Sequence, residues 1–295
     1  MKKRFTGHRL AKAVLAAAML AGSSAAAVSL GVSPAGATTT SQAPYYLALG
    51  DSLSQGVQPN STGQSVETSK GYVDDLYTLY RHAIPGLQLA KLGCPGETTT
   101  TMVKGGVCPY SLGTQLAQAK SFLQSHRTVL VTIDIGANNV DGCLMGGTVN
   151  QTCVSDGITA AGTDLQEAIL PTLRQAAGPQ VPIVAMNYYD PFLALWLQGS
   201  AGQALATQSV QLAVLFNGVL GSAYGAFGVP VADVQSAFHT TDFRTAPFSG
   251  LPLNVTLICA WTWMCAPAPV GPNIHANTAG YWVIALAFLP RIGFL

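Results

Sequence analysis

The chain has 295 residues, 49% of them hydrophobic and only 9% charged, with a formal net charge of +1. Five of its 14 Lys and Arg precede residue 38 and none of its 13 Asp and Glu do, so the rest of the chain carries a charge of −4. That balance leaves no basic face for nucleic acid and no block of like charge to form an interaction tail.

The N-terminus opens with Lys2, Lys3, Arg4, Arg9 and Lys12, continues as an Ala-rich apolar run to about Leu30, and reaches "SPAGATTT". This order predicts a secretory signal peptide over residues 1–37, with Ala35 and Ala37 filling the A-x-A cleavage pattern and the mature chain starting near Thr38. No Cys follows the apolar run, so a lipid anchor has no attachment point. Residues 38–295 contain no Pro/Ser linker, charge run or repeat, and read as one domain.

Five apolar runs are expected as strands: "YYLAL" (45–49), "LQLAKL" (87–92), "TVLVTIDI" (128–135), "VPIVAMNYY" (181–189) and "VPVADV" (229–234). Helical patterns separate them: "YVDDLYTLYRHA", "LGTQLAQAKSFLQSH", "ITAAGTDLQEAILPTLRQAA" and "ALATQSVQLAVLFNGVLGSAYGAF", with "NTAGYWVIALAFL" at the end. Apolar strands alternating with helices predict one three-layer α/β/α domain around a roughly five-stranded parallel sheet. No stretch beyond residue 38 reads as a membrane span, "YWVIALAFL" being far too short. The expected state is a monomer.

All six cysteines lie after residue 90, at 94, 108, 143, 153, 259 and 265. An even count in an exported chain favours disulfides, and the spacing suggests three local bridges in sequence order: Cys94–Cys108, Cys143–Cys153 and Cys259–Cys265. Without a C-x-x-C or a nearby His cluster, zinc is not expected, nor any other metal or cofactor.

In open α/β sheets, ligands sit at the carboxyl ends of the strands, and four segments there carry chemistry. Ser52 of "GDSL" follows the first strand, Gly93 and Gly96 of "LGCPGETT" the second, and Gly136 and Asn138 of "IDIGANN" the third. His275 in "GPNIHANTAGY" precedes the last helix. A serine hydroxyl becomes a nucleophile when an imidazole takes its proton. The tetrahedral intermediate then needs fixed N–H donors, which a glycine turn, an asparagine amide and the serine's own N–H can supply. Each residue also has an ordinary reading: turn serine, strand-ending glycine, turn-capping asparagine, helix-capping histidine. Their occurrence together in this order favours catalysis.

The four blocks "GDSL" (50–53), "GETT" (96–99), "GANN" (136–139) and "IHANTAGY" (274–281) resemble those of the SGNH/GDSL hydrolase superfamily, closest to secreted actinobacterial lipases and esterases. The resemblance implies a flavodoxin-like fold, Ser52 as nucleophile, the Ser52 N–H, Gly96 and Asn138 as oxyanion donors, and His275 as base. Gly96 is preferred to Gly93 because the family's glycine precedes an acidic–Thr pair. Two positions depart from the pattern: Asn139 replaces an Asp, and Pro272 stands where an Asp usually precedes the histidine by three residues. A Ser-His dyad is therefore expected, with the Pro272 backbone carbonyl, or failing that Asn273, accepting the His275 Nδ1–H. Asp242 is the first suspect for a carboxylate brought in from elsewhere.

His82 and His126 sit at helix ends and read as structural, and His239 in "AFHTTDF" is a weak competitor for the base. The absence of G-x-S-x-G excludes the nucleophile elbow of the α/β-hydrolases. The expected function is cleavage of small-molecule or lipid carboxylic esters, with the apolar loops "PFLALWLQG" (191–199) and "CAWTWMCAP" (259–267) favouring an acyl chain. A carbohydrate O-acetylesterase or an acyltransferase would share the acyl-enzyme. A non-catalytic protein using "WTWM" to grip glycans or lipids would not need the four blocks together.

Overall fold

Each of the five apolar runs contributes a strand to one sheet. In chain order, the computed structural model, which describes residues 42–144 and 148–293, contains β1 (Tyr45–Gly50), the short pair β2 (Gln58–Pro59) and β3 (Ser65–Val66), α1 (Tyr72–Ala83), β4 (Gln88–Lys91), α2 (Thr99–Lys104), α3 (Gln115–Ser125) and β5 (Thr128–Asp134). Next come α4 (Gln151–Asp164), α5 (Leu170–Ala177), β6 (Ile183–Met186), α6 (Gly199–Ala226), β7 (Val231–Ala232) and α7 (Val234–Ala237). The chain finishes with α8 (Leu253–Trp261), β8 (Thr262–Trp263), β9 (Asn273–Ala276) and α9 (Thr278–Ile292). The expected signal peptide, residues 1–37, lies outside the described residues.

The main sheet runs β4-β1-β5-β6-β7 with every neighbouring pair parallel. Its apolar strands are covered on both faces, and Tyr46 to Leu49 have no exposed surface. On one face α1 packs on α9, where Tyr72 stacks on Phe288 with centroids 4.9 Å apart. The other helical layer pairs α3 with α5 and α4 with α6.

The chain goes from β1 to β4 on one side and returns to β5 on the other, so strand order reverses between β1 and β5. A crevice opens at such a switch point, at the carboxyl ends of the strands. Ser52 lies just beyond β1 and Asn138 just beyond β5, one on each side of it.

Several helices differ from the pattern reading. Alpha2 begins at the last residue of the "GETT" segment, started by a reciprocal cap in which Thr98 Oγ1 accepts from the Thr101 N–H and Thr101 Oγ1 accepts from the Thr98 N–H. Alpha8 is apolar nearly all round, which hides its period, and it occupies part of the expected loop at 259–267.

The segment Pro191–Gln198 is a tight 3₁₀ helix rather than a loop, and it leads directly into α6. The joined stretch Pro191–Ala226 is long and apolar enough to meet the criterion for a membrane span, contrary to the reading that nothing beyond residue 38 does. Ser, Thr, Gln and Gly broke up that stretch in the sequence. Here it packs on α4, and its Val210, Phe216, Leu220 and Tyr224 lie in the core.

The six cysteines form Cys94–Cys108, Cys143–Cys153 and Cys259–Cys265, in sequence order. Each bridge closes a short loop and none joins distant elements.

Candidate active site

At Gly50 the chain leaves β1 with φ +131°, and a Cβ there would lie 2.0 Å from the Asp134 carbonyl oxygen, so only glycine lets the strand turn against β5. Asp51 then builds the turn: its N–H donates to the Asp134 carbonyl, its Oδ1 accepts the Leu53 N–H, and its own carbonyl accepts Ser54 Oγ. The turn's side-chain bonds thus fall to Asp51 and Ser54. Ser52 is buried, and neither its N–H nor its hydroxyl has a hydrogen-bond partner among the described residues.

The loop after β4 separates the two candidate glycines. A Cβ at Gly93 would lie 1.8 Å from Ser54 Oγ, and the Gly93 carbonyl accepts from Gln55 Nε2, so Gly93 is a packing glycine. Gly96 has φ +85° and open space around it, and its N–H has no acceptor among the described residues. The Cys94–Cys108 bridge ties this loop down.

Asn138 Nδ2 donates one hydrogen to the Glu97 carbonyl at 2.9 Å, which fixes the amide and leaves its second hydrogen free. Its neighbour Asn139 exchanges two bonds with Thr99: the Thr99 N–H donates to Oδ1, and Nδ2 donates to Thr99 Oγ1. A neutral amide thus does the tethering at the position where an Asp is the usual residue.

Buried polar bonds join the three loops. Gln115 accepts the Gly50 N–H at Oε1, and its Nε2 donates to the Gly50 carbonyl and to Glu97 Oε2. The β1 exit, the Gly96–Glu97 turn and Asn138 are thereby locked to one another.

His275 is on β9, held against β8. Its Nδ1 lies 2.7 Å from Asn273 Oδ1, so the partner is the side chain of Asn273 and not the expected Pro272 carbonyl. The reason is local. Asn273 folds its amide back over its own backbone as an Asx turn, accepting the His275 N–H at the same Oδ1. Its Nδ2 donates to Ser65 Oγ on β3. Because the His275 N–H can only donate, the oxygen of the amide faces the ring, Nδ1 carries the hydrogen, and Nε2 keeps its lone pair. Tyr189 Oη donates to the Ile274 carbonyl and steadies the segment. Burial lowers the His275 pKa to about 4, so the ring is neutral at ordinary pH.

Two clefts meet here, and Ser52, Asn138, Ile274 and His275 line both. One is mostly apolar, walled by Leu144, Val154, Ile158, Leu212 and Phe216. The other carries Gly96 with the polar Ser65 and Glu67. Of the two apolar segments expected at the substrate, the first lines the apolar cleft through Pro191 and Phe192, whereas the Trp-rich one does not: Trp261 packs edge-on against Phe238, and Trp263 Nε1 donates to Gln58 Oε1.

Asp242 is bound by the Arg244 guanidinium, which holds its carboxyl down at about 2, and it lines neither cleft. His82 and His239 are exposed, and His126 stacks on Phe122 with centroids 4.1 Å apart.

Sequence reasoning missed the acids beneath the nucleophile. Asp134 Oδ2 accepts the Ser54 N–H and Oδ1 accepts Tyr72 Oη, while Asp51 Oδ2 accepts Tyr188 Oη. Burial raises Asp51 to about 6, and burial, with the Asp51 charge adding to it, holds Asp134 well above the usual carboxylate range. "MNYYDPF" (186–192) places Tyr188, Tyr189 and Asp190 beyond β6, and polar residues ending an apolar strand were the available signal.

Residues 48–283 match the GDSL-like Lipase/Acylhydrolase family. Among solved structures, a lipase from a goat rumen metagenome is 16% identical with a TM-score of 0.52, over 85% of this chain and 97% of its own. The extracellular lipase of Streptomyces rimosus is 21% identical with a TM-score of 0.49, over 83% and 98%. Phospholipase A1 from Streptomyces albidoflavus is 19% identical with a TM-score of 0.46, over 83% and 98%. No curated protein matches.

Proposed function

The chain belongs to the GDSL-like lipase/acylhydrolase family and is an ester hydrolase, and from that premise we propose a secreted serine esterase in which Ser52 attacks the ester carbonyl and His275 is the base. The Ser52 hydroxyl proton passes to His275 Nε2 as the Oγ–C bond forms. His275 then returns it to the departing alcohol, and a water activated by the same ring releases the acid. The observation that carries this reading is the set of unengaged donors on one rim. These are the N–H of Ser52, the N–H of Gly96 and the second Nδ2 hydrogen of Asn138. The Ser52 N–H is buried, where an N–H seldom lacks an acceptor, and an oxyanion would satisfy it together with the donors of exposed Gly96 and half-buried Asn138.

The apolar cleft takes the acyl chain and the cleft that carries Gly96 the alcohol. Three disulfides support an oxidising, extracellular setting. The test is a panel of p-nitrophenyl esters from acetate to palmitate, with phospholipid and acetylated xylan alongside. Turnover of any of these esters that is lost in Ser52→Ala supports the reading, whereas no ester turnover at all would sink the proposal.

Asn138→Ala should lower kcat about a hundredfold with little change in KM, because the donor acts on charge that exists only in the transition state. Gly96→Ala should act in the same direction. The added Cβ meets nothing closer than Val107 Cγ1 at 4.0 Å, but φ +85° is strained for alanine and tilts the N–H. A rise in KM alone would contradict the oxyanion role.

Because the Cys94–Cys108 bridge pins the loop that carries Gly96, mild reduction should remove activity before the sheet melts. Activity and far-UV circular dichroism followed together under dithiothreitol check this, and simultaneous loss would argue against it.

A further inference from the structure

The apolar cleft has a feature that an alkyl chain does not explain. Asp141, on the short helical turn Asp141–Cys143 beyond β5, lines it, and its carboxyl has no hydrogen-bond partner among the described residues. Asp51 and Asp190 line the same cleft, and both are engaged: Asp51 as above, and Asp190 by the Phe192 N–H and Ser209 Oγ. Glu67 adds a fourth carboxyl at the cleft that carries Gly96. Among the described residues, no Lys or Arg lines either cleft. Alpha6, which forms one wall, has no charged residue, and the charged residues of α4 are Asp156 and Asp164. Four aromatic rings, of Tyr188, Tyr189, Phe192 and Phe216, complete the lining.

An alkyl chain filling this space would shut water away from the Asp141 carboxyl and give it nothing to bond, which is unfavourable. An anionic chain would meet only like charge. A cation satisfies both the carboxyl and the field around it, and aromatic faces attract ammonium groups through their quadrupoles. We propose that the apolar cleft binds a substrate chain bearing a cationic, ammonium-type group, with Asp141 as its counter-charge. This rests on the reading of that cleft as the acyl site of an esterase.

Burial and the charges of Asp51 and Asp190 push Asp141 up to about 8. An ammonium group pairs with the ionised form, so its affinity should climb with pH until about 8 and then level off. The other titrating groups facing Asp141 change elsewhere: Asp51 and Asp190 at about 6 and His275 at about 4, with Tyr188 and Tyr189 well above the usual tyrosine range.

The test is calorimetric titration of the wild-type protein with hexyltrimethylammonium, 1-hexanol and hexanoate, three probes of one chain length. The cation should bind about tenfold or more tighter than the alcohol at pH 8, and hexanoate weakest. Between pH 6.5 and 8 the cation's affinity should rise, up to about tenfold per pH unit, while that of hexanol stays level. Asp141→Asn should erase the gap between cation and alcohol. Equal binding of cation and hexanol to the wild type, or a pH-independent gap, would overturn the inference, even if the Asn variant fails to fold. Hydrolysis of p-nitrophenyl butyrate is measured separately. If it proceeds without any cation preference, this inference alone fails, and if it is absent, the esterase reading fails.

Discussion

Ser52→Ala should lower kcat for p-nitrophenyl butyrate by about a thousandfold or more, with the domain intact. The size follows from chemistry: without the hydroxyl no acyl-enzyme can form, and only the oxyanion donors and binding remain to assist water. The intact fold follows from the turn. Ser52 Oγ has no hydrogen-bond partner among the described residues, so its removal strands no buried donor or acceptor. The turn bonds belong to Asp51 and Ser54. Ser54→Ala makes the comparison, since it removes the bond to the Asp51 carbonyl and should cost stability of about 1 kcal/mol while leaving the nucleophile in place. An organophosphonate should label wild type at Ser52 and leave Ser52→Ala unlabelled. Substantial turnover by Ser52→Ala, with a phosphonate adduct on another residue, would move the nucleophile.

The reading of residues from strand ends worked where a single physical cause dominates. Strands β1, β5 and β6 were legible because both their faces are covered and no polar residue interrupts Leu47 to Leu49 or Ile183 to Met186. Helix α8 was not, since "LNVTLICAW" is apolar except for Asn254 and Thr256, and neither was α2, whose three threonines are poor helix formers started by a cap. Ser52, Gly96, Asn138 and His275 could be named because each follows a strand or opens the last helix, and topology brings those places together. Residues that act through a side chain folded back on its own backbone could not be named. Asn273 is two positions from His275 on the same strand, where alternation would put both on one face, but its hydrogen bond depends on an Asx turn that no periodicity announces. The same holds for Asp134, which reads as the end of an apolar strand until β1 turns across it.

That Asn273 contact gives the second large effect. Asn273→Ala should lower kcat about a thousandfold, because the ring is then free to choose the wrong tautomer and to swing away from Ser52. Asn273→Asp separates orientation from charge. It restores an acceptor for Nδ1–H, so it should recover much of the lost kcat, and its negative charge favours the imidazolium, so it should raise the His275 pKa above the wild-type value of about 4. The sign follows from the base. Only neutral His275 accepts the serine proton, so kcat/KM falls as pH drops through its pKa. Wild type should therefore keep its activity well into the acid range, with the limb near pH 4, and Asn273→Asp should lose activity at a higher pH. The pH profiles of kcat/KM for wild type, Asn273→Ala and Asn273→Asp decide the matter. If Asn273→Ala is as active as wild type, another group holds the ring. If Asn273→Asp leaves the acid limb where it was, the carboxylate does not face Nδ1, and the orientation assigned to His275 is wrong.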